Sequence, residues 1–235
     1  MRLGSPFLHG LAPLEVSDLV AAATTKRFRA NSVVISQEQP ANHMFMLTSG
    51  RARFFFITEG GHKLLLHWIM PGEIFGGIAL AAARGSYFVN TEMLKDGTAL
   101  VWDYRTIRGY LTRYPRLLDN ALTISISYSA LFLTRHVALS CHDARQRLAQ
   151  VLITLARAIG QATQAGIELD VTNEELATTS AVTVFTASRL LNEWQRQGAL
   201  AKSRGKILLR FPERLFPRGT LTSGPPLSIS PPARQ

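Results

Sequence analysis

From Arg116 to Leu139 the chain runs without a proline or a glycine. No other feature constrains the fold so strongly. A span of that kind is read as one long helix, and it divides the chain into an upstream and a downstream part. Ala121, Ile124, Tyr128, Leu131, Arg135 and Ala138 fall at alternating steps of three and four, a heptad-like seam. A second apolar stripe, Leu122, Ile126, Leu133 and Val137, belongs to another face. We expect one face to pack on the chain itself and the other on a second copy, and we assign the dimer seam to the first set. The alternative is a monomer that buries both faces internally.

Upstream, from about Phe28 to Asp103, the texture is strand-like. Short apolar runs (Ser32–Ile35, Met44–Leu47, Arg53–Ile57, Lys63–Ile69) alternate with turn signals such as Ser49-Gly50, Glu59-Gly60-Gly61, Pro71-Gly72 and Asp96-Gly97. Strands at this spacing point to a small barrel or sandwich. Downstream, Asp143 is placed to cap a new helix whose apolar face is Leu148, Val151, Leu152, Leu155 and Ile159, with Gly160 as its stop. A domain boundary and hinge are expected at residues 139–143.

The most specific local signal lies between Leu169 and Leu200. Thr172-Asn173-Glu174-Glu175 is a capping box, in which the hydroxyl of Thr172 and the carboxylate of Glu175 exchange hydrogen bonds with each other's backbone N–H groups. A short helix comes next, with Leu176 and Ala177 inward. After a connection at Thr179–Val182, Thr183 caps a second helix. Ala187, Leu190, Leu191 and Trp194 form its buried stripe and Gly198 ends it. The turn carries Ser180-Ala181 where a glycine often stands. Such a pair is a helix-turn-helix. Its outward residues near the second helix's start, Val184, Phe185, Ser188 and Arg189, would then face base edges or phosphates in a major groove. Thr172, Thr183 and Thr186 join them as expected DNA contacts. Residues 201–210 read as two short strands around an Arg204-Gly205 turn, a wing whose Lys202, Arg204 and Lys206 suit phosphate contact. The plain alternatives are an αα-hairpin and a solvated β-hairpin.

Charge agrees with that reading. The chain has 235 residues and a formal net charge of +10, an excess that draws polyanions. Its single cysteine, Cys141, rules out an internal disulfide or a cysteine-rich metal site and is expected to be a structural thiol in a reducing compartment. The longest near-apolar run, Ile74 to Ala83, is about half of a bilayer-spanning helix. The first residues lack the pattern of a secretory signal. We expect a cytoplasmic protein with no membrane partner. The segment after Phe216, with four prolines in its last sixteen residues and no acid among them, is expected to be disordered.

Taken together, these segments resemble the Crp–Fnr family of bacterial transcription regulators over roughly residues 8–216. Trp68-Ile69-Met70-Pro71-Gly72-Glu73-Ile74-Phe75-Gly76 is similar to a motif of the family's effector domain, and Thr172 through Arg189 and the wing to its DNA-binding domain. The resemblance implies an α+β protein: an N-terminal β-roll (double-stranded β-helix, residues 1–115), a long dimerisation helix (116–139) and a C-terminal winged helix-turn-helix (140–216), ahead of the tail at 217–235. It also implies an effector site in the roll, here Gly72, Glu73, Phe75, Gly76, Gly77, Tyr87 and Phe88, and RNA polymerase as a partner.

Several departures bear on function. Cyclic-AMP-binding members place a glutamate that holds the ribose directly after Phe-Gly, and this chain has Gly77 there. About ten residues on, where an Arg-Ser pair neutralises the cyclic phosphate, an ungapped count reaches Tyr87-Phe88, and Arg84 is out of register. A buried phosphate without a cation is costly to desolvate, so no cyclic nucleotide is expected. Residues 1–30 contain no cysteine for an iron–sulfur centre. His43, His62, His67 and His136 show no ligand spacing for haem, so no cofactor is expected. On the recognition helix Phe185 replaces a glutamate that commonly accepts from cytosine N4, while Ser188 and Arg189 remain. The expected operator is therefore two-fold symmetric, with a guanine read by Arg189 and a thymine-rich preference beside Phe185.

Two rival readings remain. A cupin-like metal enzyme would need clustered histidines and carboxylates. No His-x-His pair is present, and no phosphate loop, Gly-x-Ser-x-Gly or HExxH motif. The other is a module that docks DNA or protein without reading sequence.

Overall fold

The computed structural model describes residues 4–61, 63–81 and 85–216. His62, Arg84 and the tail from 217 onward lie outside the described residues. Two compact units part between Ser129 and Ala130.

The first unit is an antiparallel β-roll of β1 (Thr24–Phe28), β2 (Val33–Ile35), β3 (His43–Ile57), β4 (Lys63–Ile69), β5 (Ile74–Phe75) and β6 (Asn90–Asp103). The main order is β1-β6-β3-β4, with β2 added on β6 and β5 on β3. Helices α1 (Pro13–Ala21) and α2 (Tyr104–Arg113) flank it. The two-residue period of a strand sends alternate side chains to opposite faces. At Met44–Leu47 of β3 and Ala99–Trp102 of β6 both faces are buried. Met44, Met46, Leu100 and Trp102 turn toward Phe7, Leu19, Ile107, Leu111 and Leu117, while Phe45, Leu47, Ala99 and Val101 fill the roll with Ala52, Ile69, Phe75 and Met93. The Trp102 indole N–H donates to the Leu19 carbonyl at 2.8 Å, which ties β6 to α1. The sequence suggested two strands, Met44–Leu47 and Arg53–Ile57. The structure makes one strand of fifteen residues, and the Ser49-Gly50 turn signal becomes a run of register shifts. Gly50 has φ +85°, and a Cβ there would stand 2.6 Å from the Asp96 carbonyl oxygen.

Helix α3 spans Arg116–Cys141, two residues beyond the expected end. Asn120 anchors its start by donating to the carbonyls of Phe7 and His9. Most of the residues assigned to the seam pack within their own chain. Ala121 is buried in the roll's core and Ile124 packs against it. Tyr128 sets its ring edge-on to His67 at 5.1 Å and also meets Phe54. Its hydroxyl pKa is pushed far up by burial, and the nearby Glu73 adds to the effect. Arg135 donates to the Thr179 carbonyl and Ala138 is half-buried, so of the six seam residues only Leu131 is exposed. The exposed face is instead the second stripe, Leu122, Ile126 (62%), Leu133 (59%) and Val137. The hydroxyls of Thr123, Ser125, Ser127, Ser129, Thr134 and Ser140 each donate to the carbonyl four residues back. By length and composition alone, α3 is apolar enough to cross a bilayer, and it is the single such helix among the described residues. Cys141, read as a structural thiol, is exposed at its end.

The second unit continues with α4 (Ala144–Ile159), β7 (Gln161–Thr163), β8 (Gly166–Asp170), α5 (Asn173–Thr179), α6 (Val184–Arg196), β9 (Leu200–Ser203) and β10 (Lys206–Leu209). Asp143 caps α4 as expected and forms a capping box with Gln146. The four strands order β7-β8-β10-β9. The β7–β8 hairpin was not anticipated. Its signal was the Ile167/Leu169 alternation after Gly166, too short to stand out.

Candidate functional site

Helices α5 and α6 form the anticipated pair. Thr172 accepts from the Glu175 N–H at 3.2 Å, and the Glu175 carboxylate accepts from the Thr172 N–H at 2.8 Å. Thr183 accepts from the Thr186 N–H at 3.1 Å and shares its hydroxyl with that of Thr186. These three threonines are therefore engaged first as local caps. Ala187, Leu190, Leu191 and Trp194 are buried, as the stripe required. Arg145 holds the inner side of α6 by a doubled hydrogen bond to Glu193 and lies over the Trp194 ring.

What α6 leaves outside is a strip. Phe185, Arg189, Asn192 and Arg196 are all exposed, at steps of four, three and four, with Ser188 half-buried between them and Val184 at the tip. Steps of three and four place residues on one helical face. Sequence reasoning stopped at Arg189 and missed Asn192 and Arg196, although the same spacing extends to them.

The wing forms as expected, with Lys206 paired to Ser203 across the turn. Its cations are not equivalent. Lys202 donates to Asn192 of α6, which braces the wing against the exposed strip. Lys206 forms an ion pair with Glu168 of β8 at 2.7 Å, and the hydrogen bond and charge of Glu168 raise its pKa. Arg204 is exposed at the tip.

The expected effector residues sit mostly in structural roles. Phe75 stacks on Phe45 at 4.9 Å inside the roll. Gly76 has φ +74°, and a Cβ there would lie 2.8 Å from the His43 carbonyl oxygen and 3.3 Å from the Tyr87 ring. Tyr87 is buried, and its hydroxyl donates to the His43 carbonyl and accepts from the His43 N–H. Burial raises its pKa. Gly72 packs against Gly4. The Glu73 carboxylate accepts from the Met70 N–H and stands 3.4 Å from His67 Nε2. A Cβ added at Gly77 would meet open space. Phe88, expected to line the pocket, is 74% exposed. It lies in the connection just ahead of β6, next to the buried Tyr87. Among the described residues no group of three or more histidine, cysteine, aspartate or glutamate side chains is placed to hold a metal ion.

Comparison with known proteins decides the family. Residues 25–114 match the cyclic nucleotide-binding domain and residues 146–216 the Crp-like helix-turn-helix domain. The chain belongs to the Crp–Fnr family. It is 24% identical over 207 residues to the cyclic AMP receptor protein of Thermus thermophilus, covering 88% of this chain and 93% of that one. The c-di-GMP responsive global regulator CLP of Xanthomonas campestris has the same fold, with a TM-score of 0.75 at 18% identity, over 84% of this chain and 99% of that one. FixK2 of Bradyrhizobium japonicum gives 0.72 at 18% identity, over 82% and 95%. The chain is thus a Crp–Fnr transcription regulator with a helix-turn-helix DNA-binding domain. The family is one of regulators rather than enzymes.

One backbone feature of the Crp-like domain is strained. Ala181, in the turn between α5 and α6, has φ +51°. Arg147 pins the same turn by donating to the carbonyls of Ser180, Ala181 and His142. An L side chain in the left-handed region costs on the order of 1 kcal/mol, which glycine avoids, though glycine also has more unfolded freedom to lose. Ala181→Gly should stabilise the second unit by about 0.5–1 kcal/mol, read as a higher midpoint in chemical denaturation. An unchanged or lower midpoint would count against strain at this turn.

Proposed function

We propose that the protein is a homodimeric, sequence-specific regulator that binds a two-fold symmetric operator through the major groove. One observation carries this: a capped, well-packed helix leaves Phe185, Arg189, Asn192 and Arg196 on one open strip beside a braced basic wing. In such a frame the N-terminal residues of the recognition helix reach base edges. Arg189 makes the bidentate contact to guanine O6 and N7, Ser188 assists, and Arg204 contacts phosphate with Lys202 and Lys206 nearby. Pairing through the exposed stripe of α3 gives two half-sites. Family membership implies RNA polymerase as a partner, and the cytoplasm as the place of work.

Recovering bound genomic fragments with the purified protein tests the reading. A shared palindrome supports it. Retention without sequence preference, falling equally with salt on every fragment, would make the protein a docking module. On the recovered operator, Arg189→Ala should cost about 1–3 kcal/mol and relax one position per half-site. Equal losses on all sequences would make Arg189 a phosphate contact.

The effector, in this reading, is not a cyclic nucleotide, and the protein needs no haem or iron–sulfur group. Gly77 offers no carboxylate to a ribose. The Tyr87 ring occupies the space beside Gly76, with its hydroxyl committed to the backbone of His43. Calorimetry with cyclic AMP and cyclic GMP is expected to show no heat of binding at micromolar protein. Micromolar affinity for either would overturn this point.

A further inference from the structure

The recognition helix of a DNA reader begins here with two exposed apolar side chains. Phe185 is 78% exposed and Val184 49%. Both stand just after the Thr183 cap, and Phe185 lies one turn before Arg189 on the same face. An exposed phenylalanine loses contact with water only when a partner covers it. In this position the partner of the proposed function is the floor of the major groove. A phenyl ring has no donor or acceptor. Against the N4 amino group of cytosine, or N7 and O6 of guanine, it would strip water from a polar edge and return nothing, the same loss as for any buried unpaired group. The one apolar group that groove offers is the C5-methyl of a pyrimidine.

We infer that Phe185, backed by Val184, is a C5-methyl reader, so that the protein distinguishes methylated from unmethylated pyrimidines in its operator. The inference rests on the proposed function and goes beyond it. The determinant is the methyl group and not thymine as such. Thymine and 5-methylcytosine present that methyl at the same place in the groove. They differ at position 4, which Phe185 has no polar atom to read. An operator carrying cytosine at this position is then weak until it is methylated, and base methylation becomes an input to regulation. Arg189 fixes where this occurs, at the base pair beside its guanine.

The test uses the full-length protein and fluorescence anisotropy on the recovered operator. Each thymine is replaced in turn by deoxyuridine, which removes only the methyl group. At the position beside the Arg189 guanine, affinity should fall about fourfold per half-site, the worth of one buried methyl group, and about fifteenfold when both half-sites are changed. Cytosine there should bind weakly, and 5-methylcytosine should bind about fourfold more tightly than cytosine, the same methyl contribution that separates thymine from deoxyuridine. Phe185→Ala, a change at an exposed side chain, should erase the difference between thymine and deoxyuridine. Equal binding of thymine and deoxyuridine at every position of a selectively bound operator overturns the methyl reading and leaves the regulator intact. So does a methyl dependence that survives in Phe185→Ala. Absence of any preferred sequence would overturn both readings together.

Discussion

Replacing both Ile126 and Leu133 by aspartate should leave a folded monomer that no longer holds operator DNA. The two positions are seven residues apart, two turns of α3, and lie on its exposed stripe with Leu122 and Val137. Because they touch little within their own chain, the monomer should melt close to the wild type. In the proposed dimer the same positions would be covered. Each change then gives up about 1.5–3 kcal/mol of apolar burial and sets a carboxylate against its symmetry mate. Loss of the dimer also removes the link between two half-site contacts. A second tethered contact raises overall affinity by about 10²–10⁴, and that factor is the expected loss on a palindromic operator. Sedimentation equilibrium and anisotropy read the two effects. An unchanged dimer would place the interface elsewhere. Binding of the wild-type chain to lipid vesicles, lost in the variant, would mean that the stripe faces a bilayer.

Trp102→Ala should be the most damaging single change in the first unit. The side chain is fully buried, between α1 and the sheet, among Phe7, Leu19, Met44 and Ile107. Truncation of a buried tryptophan costs about 3–5 kcal/mol, because the surrounding side chains collapse only partly into the space left. It also leaves the Leu19 carbonyl without its donor, which adds about 1 kcal/mol. Trp102→Phe keeps most of the ring and loses the hydrogen bond, so its cost should be clearly smaller. Urea denaturation monitored by circular dichroism measures both. A loss under 1 kcal/mol for the alanine variant would mean that this core is not what holds α1 to the roll.

What the sequence revealed was what local chemistry decides. The Thr172/Glu175 box, the Thr183 and Asp143 caps and the α6 stripe each depend on residues within a turn or two, and each formed as expected. What it concealed depends on residues far away. Both stripes of α3 are apolar and share one period. Only the roll, contributing Met44, Leu100, Phe54 and His67 from about twenty to almost eighty residues upstream, determines that Ala121, Ile124 and Tyr128 turn inward. Lys206 was read as a phosphate contact from its own short segment, residues 201–210, which contains no acid. Its partner, Glu168, comes from a strand 38 positions earlier that the pattern was too short to announce. The effector region erred through counting. An ungapped count treated Tyr87 and Phe88 as a pair, whereas the connection ahead of β6 buries the first and exposes the second.

The back-bonded serines and threonines of α3 have a consequence for partner choice. Each hydroxyl already has its acceptor inside its own helix, so covering Ser125 or Ser129 strands no hydrogen-bonding group. The stripe therefore lacks the kind of buried amide or charge that fixes register and excludes strangers in many helical zippers. Selectivity at such a surface is a matter of shape and methyl packing. In the proposed dimer, a related regulator with a similar greasy, hydroxyl-dotted rod would meet no electrostatic veto at this stripe, and mixed pairs reading unlike half-sites would become accessible to the cell.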